Sequence, residues 1–314
     1  MASTGKFRDT RRHIRTHWPT YFGLYAGLVL AMGLLGVGLA SGWYAFVPFA
    51  LAILLVAGYL LVAALWTAHQ LHDGPGPKVI DQLIDYAQLR PDDRIVCLDL
   101  GLAQTAIRIA QRLTTGQVKV IDVYNPQSNP GGPLRRARAA ARRPGPDPRL
   151  EWIDGSIQLL PLPDRSVRLV FVNQILGEFW LPEEREQLLN EARRILVPDG
   201  RLLLAERHRG QRDLLLTGLV TSSWPPAETW RAMLKKADLR IQREDSLRGL
   251  VYCARADKPP PTEGRQMRLQ LDFLWAQSAI PANGPASSAR RARCRRPIAP
   301  VAPAASPAAS RSRR

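Results

Sequence analysis

Ile95-Val96-Cys97-Leu98-Asp99-Leu100-Gly101 and Val118-Lys119-Val120-Ile121-Asp122 decide the fold. Both are short, nearly unbroken apolar runs ending in an acid, the pattern of strands buried on both faces. Between them Ala103–Leu113 has helical periodicity. Working outward, the alternation continues. A helical pattern with Ile80, Leu83, Ile84 and Ala87 on one face precedes the first strand. A helix over Leu134–Arg143 follows the second. Leu150–Ile153 and Val167–Val172 read as further strands. Pro182–Leu196 reads as a helix with Leu188, Leu189, Ala192, Ile195 and Leu196 on one face, and Arg201–Glu206 as a strand. Strands separated by helices predict an α/β, Rossmann-like, doubly wound and mostly parallel sheet. After a helix near Pro226–Ala237, strands at Leu239–Glu244 and Leu250–Ala254 are close enough in sequence to form an antiparallel pair.

The front of the chain has another character. No Asp, Glu, Lys or Arg occurs between Arg15 and Asp73. A helix crossing the hydrocarbon core needs about 20 apolar residues, so two transmembrane helices are expected, near Tyr21–Ala40 and Tyr44–Trp66. Ser41-Gly42-Trp43 is the expected turn. A cleaved signal peptide would have a much shorter apolar core, and a soluble hairpin would show a polar face. Lys6, Arg8, Arg11, Arg12 and Arg15 precede the first span, which puts both ends on the cytoplasmic side of a multi-pass inner-membrane protein. Trp18, Tyr21, Trp43, Tyr44 and Trp66 fall where interfacial aromatics belong. The expected organisation is a basic cytoplasmic segment (1–20), the hairpin (21–67), an α/β domain (74–257) and a Pro/Ala/Arg-rich, disordered tail (258–314).

Composition excludes several classes. The 314 residues are 46% apolar and 23% charged, too apolar for a disordered chain. Three Cys without a CxxC pattern exclude a disulfide framework. The net charge of +17 is concentrated at the two ends. The Arg-rich tail is read either as solvated or as a contact for anionic lipid or RNA, and the cluster Arg135, Arg136, Arg138, Arg142 and Arg143 either as a solvated helix face or as resting on anionic lipid headgroups.

In an open parallel sheet, ligands bind beyond the carboxyl ends of the strands. There the sequence places Asp99 and Gly101, where glycine permits a tight turn; Asp122, able to accept from both hydroxyls of a ribose; Asp154 and Ser156; and Asn173. Glu178, Glu206 and His208 are candidate bases. Leu214–Val220 and Trp224 are candidates for an apolar substrate cover.

The run Leu160-Pro161-Leu162-Pro163-Asp164-Arg165-Ser166, followed by a strand and by Glu191-Ala192-Arg193-Arg194-Ile195-Leu196-Val197-Pro198-Asp199-Gly200-Arg201-Leu202, resembles class I S-adenosylmethionine-dependent methyltransferases with small-molecule or lipid substrates. The resemblance covers about residues 75–257. It implies S-adenosyl-L-methionine as cofactor. Asp99, Gly101 and Ala103 would then lie beside its methionine part, Asp122 at the ribose, Asp154 and Ser156 at the adenine and Asn173 near the reacting methyl. The sequence departs from the family's G-x-G-x-G loop, which here reads Gly101-Leu102-Ala103-Gln104-Thr105, and Arg168 stands where an Asp is usual. The Asp/Asn-Pro-Pro-aromatic signature of DNA amino methyltransferases is missing, which argues against nucleic acid as substrate. The expected function is a membrane-anchored methyltransferase acting on a hydrophobic acceptor such as a quinone precursor or lipid. The alternatives are a catalytically inactive membrane scaffold or cofactor-binding protein on the same fold and an NAD-dependent oxidoreductase, the latter disfavoured by the absence of G-x-G-x-x-G.

Overall fold

The computed structural model describes residues 8–73, 78–141, 145–210 and 221–260. The first elements are α1 (Arg8–Thr16), α2 (Trp18–Ala40) and α3 (Val47–His72), with a 3-10 turn at Tyr44–Phe46 between the last two. Pro19 and Pro48 sit in the first turns of α2 and α3, where a missing N–H costs nothing. Both helices are long and apolar enough to cross a membrane, and most of their side chains are not buried inside the protein. Phe22, Leu30 and Phe49 are 63%, 66% and 70% exposed, so these are not core helices of a soluble fold. The helices extend beyond the expected spans at the Trp18 and His72 ends. The final turns of α3 pack on the α/β domain: Ala68 and Leu71 are buried, Leu71 in the domain core with Val79, Leu83, Leu250 and Val251. The basic segment before α2 is itself largely the helix α1.

Then follow α4 (Val79–Ala87), β1 (Arg94–Asp99), α5 (Gln104–Ala110), β2 (Gln117–Asp122), α6 (Gly132–Ala140), β3 (Leu150–Asp154), β4 (Val167–Asn173), α7 (Pro182–Ile195), β5 (Leu196–Arg207), α8 (Ala227–Lys236), β6 (Arg240–Leu247) and β7 (Val251–Asp257). The seven strands form one sheet in the order β3-β2-β1-β4-β5-β7-β6. β1 to β5 pair in parallel; β7 runs antiparallel between β5 and β6. This is the expected doubly wound architecture. β5 begins earlier than its apolar run, because Leu196 already pairs with Val167.

Apolar clusters cover both faces of the sheet. One joins Val170, Val172, Leu202 and Leu204 to Leu188, Leu189, Ala192 and Trp230; the other joins Cys97, Val120, Phe171 and Leu203 to Leu83, Ala106 and Ile109. Strand residues alternate between the two, as the pleat requires.

Strand order reverses between β1 and β4, so the carboxyl ends of these strands open a crevice. The β6–β7 turn lies at the same edge, because Val251 is registered against Arg207 at the end of β5. The root of the hairpin packs along that edge. Arg136 of α6 donates from Nε to the carbonyl of Thr16 (2.7 Å), and Arg248 in the β6–β7 turn donates to the carbonyl of Gln70 (2.5 Å).

Candidate functional site

Parallel pairing aligns the ends of three strands. Asp99 is registered against Asp122, and Asp122 against Asp154. Registered residues on neighbouring strands point to the same face, so three acids stand in a row at the carboxyl edge.

Asp99 closes the loop after β1. Its Oδ1 accepts from Leu102 N (2.5 Å) and its Oδ2 from Ala103 N (3.0 Å). Gly101 has φ +79° and Ala103 φ +65°, so the chain turns through the left-handed region twice before α5. Burial pushes the Asp99 carboxyl above the usual carboxylate range; the loop N–H groups oppose that shift and the charge on Asp122 adds to it.

Thr105, the branched residue in the degenerate glycine loop, is buried. Its hydroxyl accepts from Asn173 Nδ2 (2.9 Å), across the point where strand order reverses. The Oδ1 of Asn173 is buried and has no hydrogen-bond partner among the described residues. Asp154 is exposed at the end of β3, and the exposed Ser156 accepts from Gln158 N (3.2 Å).

Asp122 is buried and fully engaged. Oδ1 accepts from Tyr124 N (3.1 Å) and from Arg138 Nη1 (2.9 Å), while Oδ2 pairs with Arg138 Nη2 (2.6 Å). The guanidinium stacks over the Tyr124 ring, 4.4 Å from its centroid. It also lies against Gly101, with Cζ 2.7 Å from where a Cβ on that residue would stand. A ribose was expected at this carboxylate; the structure puts an arginine there. Arg138 was missed because its cluster reads as a solvated or headgroup-facing surface. The signal was its spacing: it lies four residues after the buried Leu134, on the same helix face. Arg142, Arg143 and Leu214–Val220 lie outside the described residues.

The candidate bases are committed elsewhere. Glu206 is 1% exposed and accepts from the backbone N–H of Ile175 (2.7 Å), Leu176 (2.7 Å) and Gly177 (3.2 Å), which fixes the loop after β4. Burial pushes its carboxyl up to about 7, against those three donors. Glu178 pairs with Arg207 (2.5 Å), and His208 Nε2 meets Ser246 Oγ at 2.7 Å. Trp224 lies under the Arg207 guanidinium, 5.9 Å from it. α1 borders this end of the site. Burial lowers the pKa of His17, with the charge on Arg207 adding to the effect and Glu178 opposing it.

Residues 98–204 match the family model described as a methyltransferase domain. Over this segment the chain is similar to a methyltransferase domain. The match begins in β1 just before the Asp99 loop and ends within β5, so it spans the carboxyl-edge crevice. Over 126 residues the chain is 29% identical to the ubiquinone/menaquinone biosynthesis C-methyltransferase UbiE of Ruegeria sp. (strain TM1040), covering 40% of this chain and 47% of that protein. The corresponding protein of Roseobacter denitrificans is 26% identical over the same length and shares. The chain thus spans about half the length of these curated relatives. A SAM dependent methyltransferase from Aquifex aeolicus superposes with a TM-score of 0.42 at 18% identity, over 61% of this chain and 93% of that one.

The residues fit S-adenosylmethionine in kind. The left-handed turn at Gly101 leaves a cradle that a Cβ would fill, Asp122 is an acceptor at the end of β2, and Asn173 Oδ1 is a buried acceptor without a donor among the described residues. The Arg138 guanidinium now lies in that cradle.

Proposed function

We propose that this protein is a membrane-anchored, S-adenosylmethionine-dependent methyltransferase whose acceptor is a small hydrophobic molecule of the quinone-precursor or lipid class. The observation that carries this reading is the packing of the apolar hairpin's root onto the carboxyl edge of the sheet, through Thr16, Gln70 and Leu71. With α2 and α3 in a bilayer, the crevice between β1 and β4 opens beside the membrane surface, where a lipid-soluble acceptor is concentrated. The named function of the UbiE relatives, C-methylation in ubiquinone and menaquinone biosynthesis, agrees with such an acceptor. The basic side chains of Arg11, Arg12 and Arg15 are suited to the cytoplasmic leaflet and its anionic headgroups.

The cofactor supplies an electrophilic methyl group on a sulfonium. The chain's own residues bind and align. Asp99 holds the Gly101 loop in shape; with the cofactor bound, Asp122 would take the ribose hydroxyls in place of Arg138, and Asp154 and Ser156 would border the adenine. Asn173, its amide oriented by Thr105, would stand near the reacting methyl. Glu206 holds the Ile175–Gly177 backbone that forms the acceptor side. Alignment of donor and acceptor is the main catalytic contribution such a site can make.

One observation favours the inactive-scaffold reading: both oxygens of Asp122 are already taken by Arg138. A single experiment separates the two. The full chain is reconstituted in vesicles of bacterial lipid extract containing quinone precursors and given methyl-labelled S-adenosylmethionine. The enzyme reading expects label in the organic phase, and none with Asp122→Ala. Absence of label together with absence of cofactor binding would leave the scaffold.

A further inference from the structure

We propose that Arg138 is a built-in competitor for the cofactor: its guanidinium occupies the ribose acceptor Asp122, and binding requires its displacement. The inference rests on the cofactor reading above and adds the residue that sets the affinity.

The two occupants exclude one another by hydrogen-bond count. A ribose diol needs acceptor positions on Asp122, whose two oxygens already take Arg138 Nη1, Arg138 Nη2 and Tyr124 N. Overlap in space adds to this. The guanidinium fills the cradle beside Gly101 that the left-handed turn holds open. Any ligand approaching the loop backbone there meets the arginine first.

The reason for a cation at this place is electrostatic. Asp99, Asp122 and Asp154 are in register on adjacent strands, and the first two are buried. Buried like charges side by side are costly without a counter-charge. Arg138 supplies one, held by a bidentate pair and by stacking on Tyr124.

The arrangement also lets the arginine leave. The Asp122 side chain is 6% exposed, but that of Arg138 is 31% exposed and has solvent to turn into. Arg138 lies in the last turn of α6, whereas the helix is fixed earlier by buried Leu134 and by the Arg136 bond to Thr16. The side chain can therefore swing without moving the helix.

The test is calorimetric titration of the full chain in detergent micelles with S-adenosylhomocysteine and, separately, 5′-methylthioadenosine, which keeps the ribose and lacks the amino-acid part. Arg138→Ala is expected to bind both about tenfold more tightly than the unmodified chain, the equivalent of about 1.4 kcal/mol. Arg138→Gln, which keeps a polar but shorter and uncharged side chain, should gain in the same direction. On an Asp122→Ala background the gain should vanish. Tryptophan-fluorescence melts confirm that each variant is folded. If the unmodified chain binds and both Arg138 variants bind equally or more weakly, the proposal fails and the cofactor reading stands. If neither the unmodified chain nor the Arg138 variants bind, both fail. Binding that appears only in the variants would support the proposal most strongly.

Discussion

Replacing Glu206 by Gln tests the central packing argument. Its carboxylate is buried and takes three backbone N–H groups, two on Oε1 and one on Oε2. Gln retains an oxygen for Ile175 and Leu176 but turns an amide N–H toward Gly177 N–H, losing one bond and opposing two donors. An unsatisfied buried donor costs about 1–3 kcal/mol. Against this stands the charge. The Glu206 carboxyl is raised from 4.5 to about 7 by burial, and at about 1.36 kcal/mol per pKa unit that corresponds to about 3 kcal/mol. The sign follows from proton linkage. A carboxyl whose folded pKa lies above its unfolded value binds more protons when folded, so its stabilising contribution is present below about 4.5 and is lost as pH rises to about 7. His13, lowered to about 2 by burial with His72, His17 and Arg207 adding, acts oppositely: its contribution is present above 6.5 and is lost as pH falls. The two overlap, so the melting curve of the unmodified chain alone is uninformative, and the quantity to measure is its difference from Glu206→Gln. At pH 5 the variant should be less stable by about 1–3 kcal/mol. By pH 8 the gap should have closed or reversed. At about 2–4 °C per kcal/mol for a domain of this size, the difference in melting temperature should swing by about 6–12 °C. Fluorescence melts across pH 5–8 supply the numbers. A difference that stays constant across that range would refute the reasoning.

Two further perturbations probe other parts of the argument. Gly101→Ala places a Cβ at φ +79° and into the Arg138 guanidinium; a stability loss of about 1–2 kcal/mol and loss of S-adenosylhomocysteine binding are expected by thermal melt and calorimetry, and unchanged binding would contradict the cradle. Arg194 ties the Leu160–Asp164 turn to α7 through Glu191, Asp164 and the carbonyls of Leu160 and Leu162; Arg194→Ala should cost about 2–3 kcal/mol in urea denaturation, with the slope unchanged.

The sheet was legible because its strands are buried on both faces. Val96–Leu98, Val118–Ile121 and Val170–Val172 leave no other reading, and glycine or acid marks their ends. The antiparallel pair was placed with displaced bounds, because the registered run Arg243-Glu244-Asp245-Ser246 is polar and its pairing with β7 comes from the sheet edge rather than from its own pattern. Asp99 and Asp122 could be placed at the carboxyl edge from strand ends alone. What occupies Asp122 could not, because Arg138 reaches it only through the fold of the segment between β2 and α6. α1 was read as part of a basic cytoplasmic segment; its docking depends on Arg136, far away in sequence. Glu206 showed as a residue at a strand end, but the three N–H groups it gathers belong to a loop shaped by β4.

Three attachments fix the base of the hairpin to the domain: the Thr16 carbonyl on Arg136, the Gln70 carbonyl on Arg248, and Leu71 within the core. A flexible tether would let the domain roam over a range of heights. Were the hairpin to span a bilayer as proposed, this mount would set one height and the crevice would act as a depth gauge. Among molecules sharing a headgroup, those whose reactive atom floats at that level would be methylated, and chain length and ring position would be selected before any contact with the pocket.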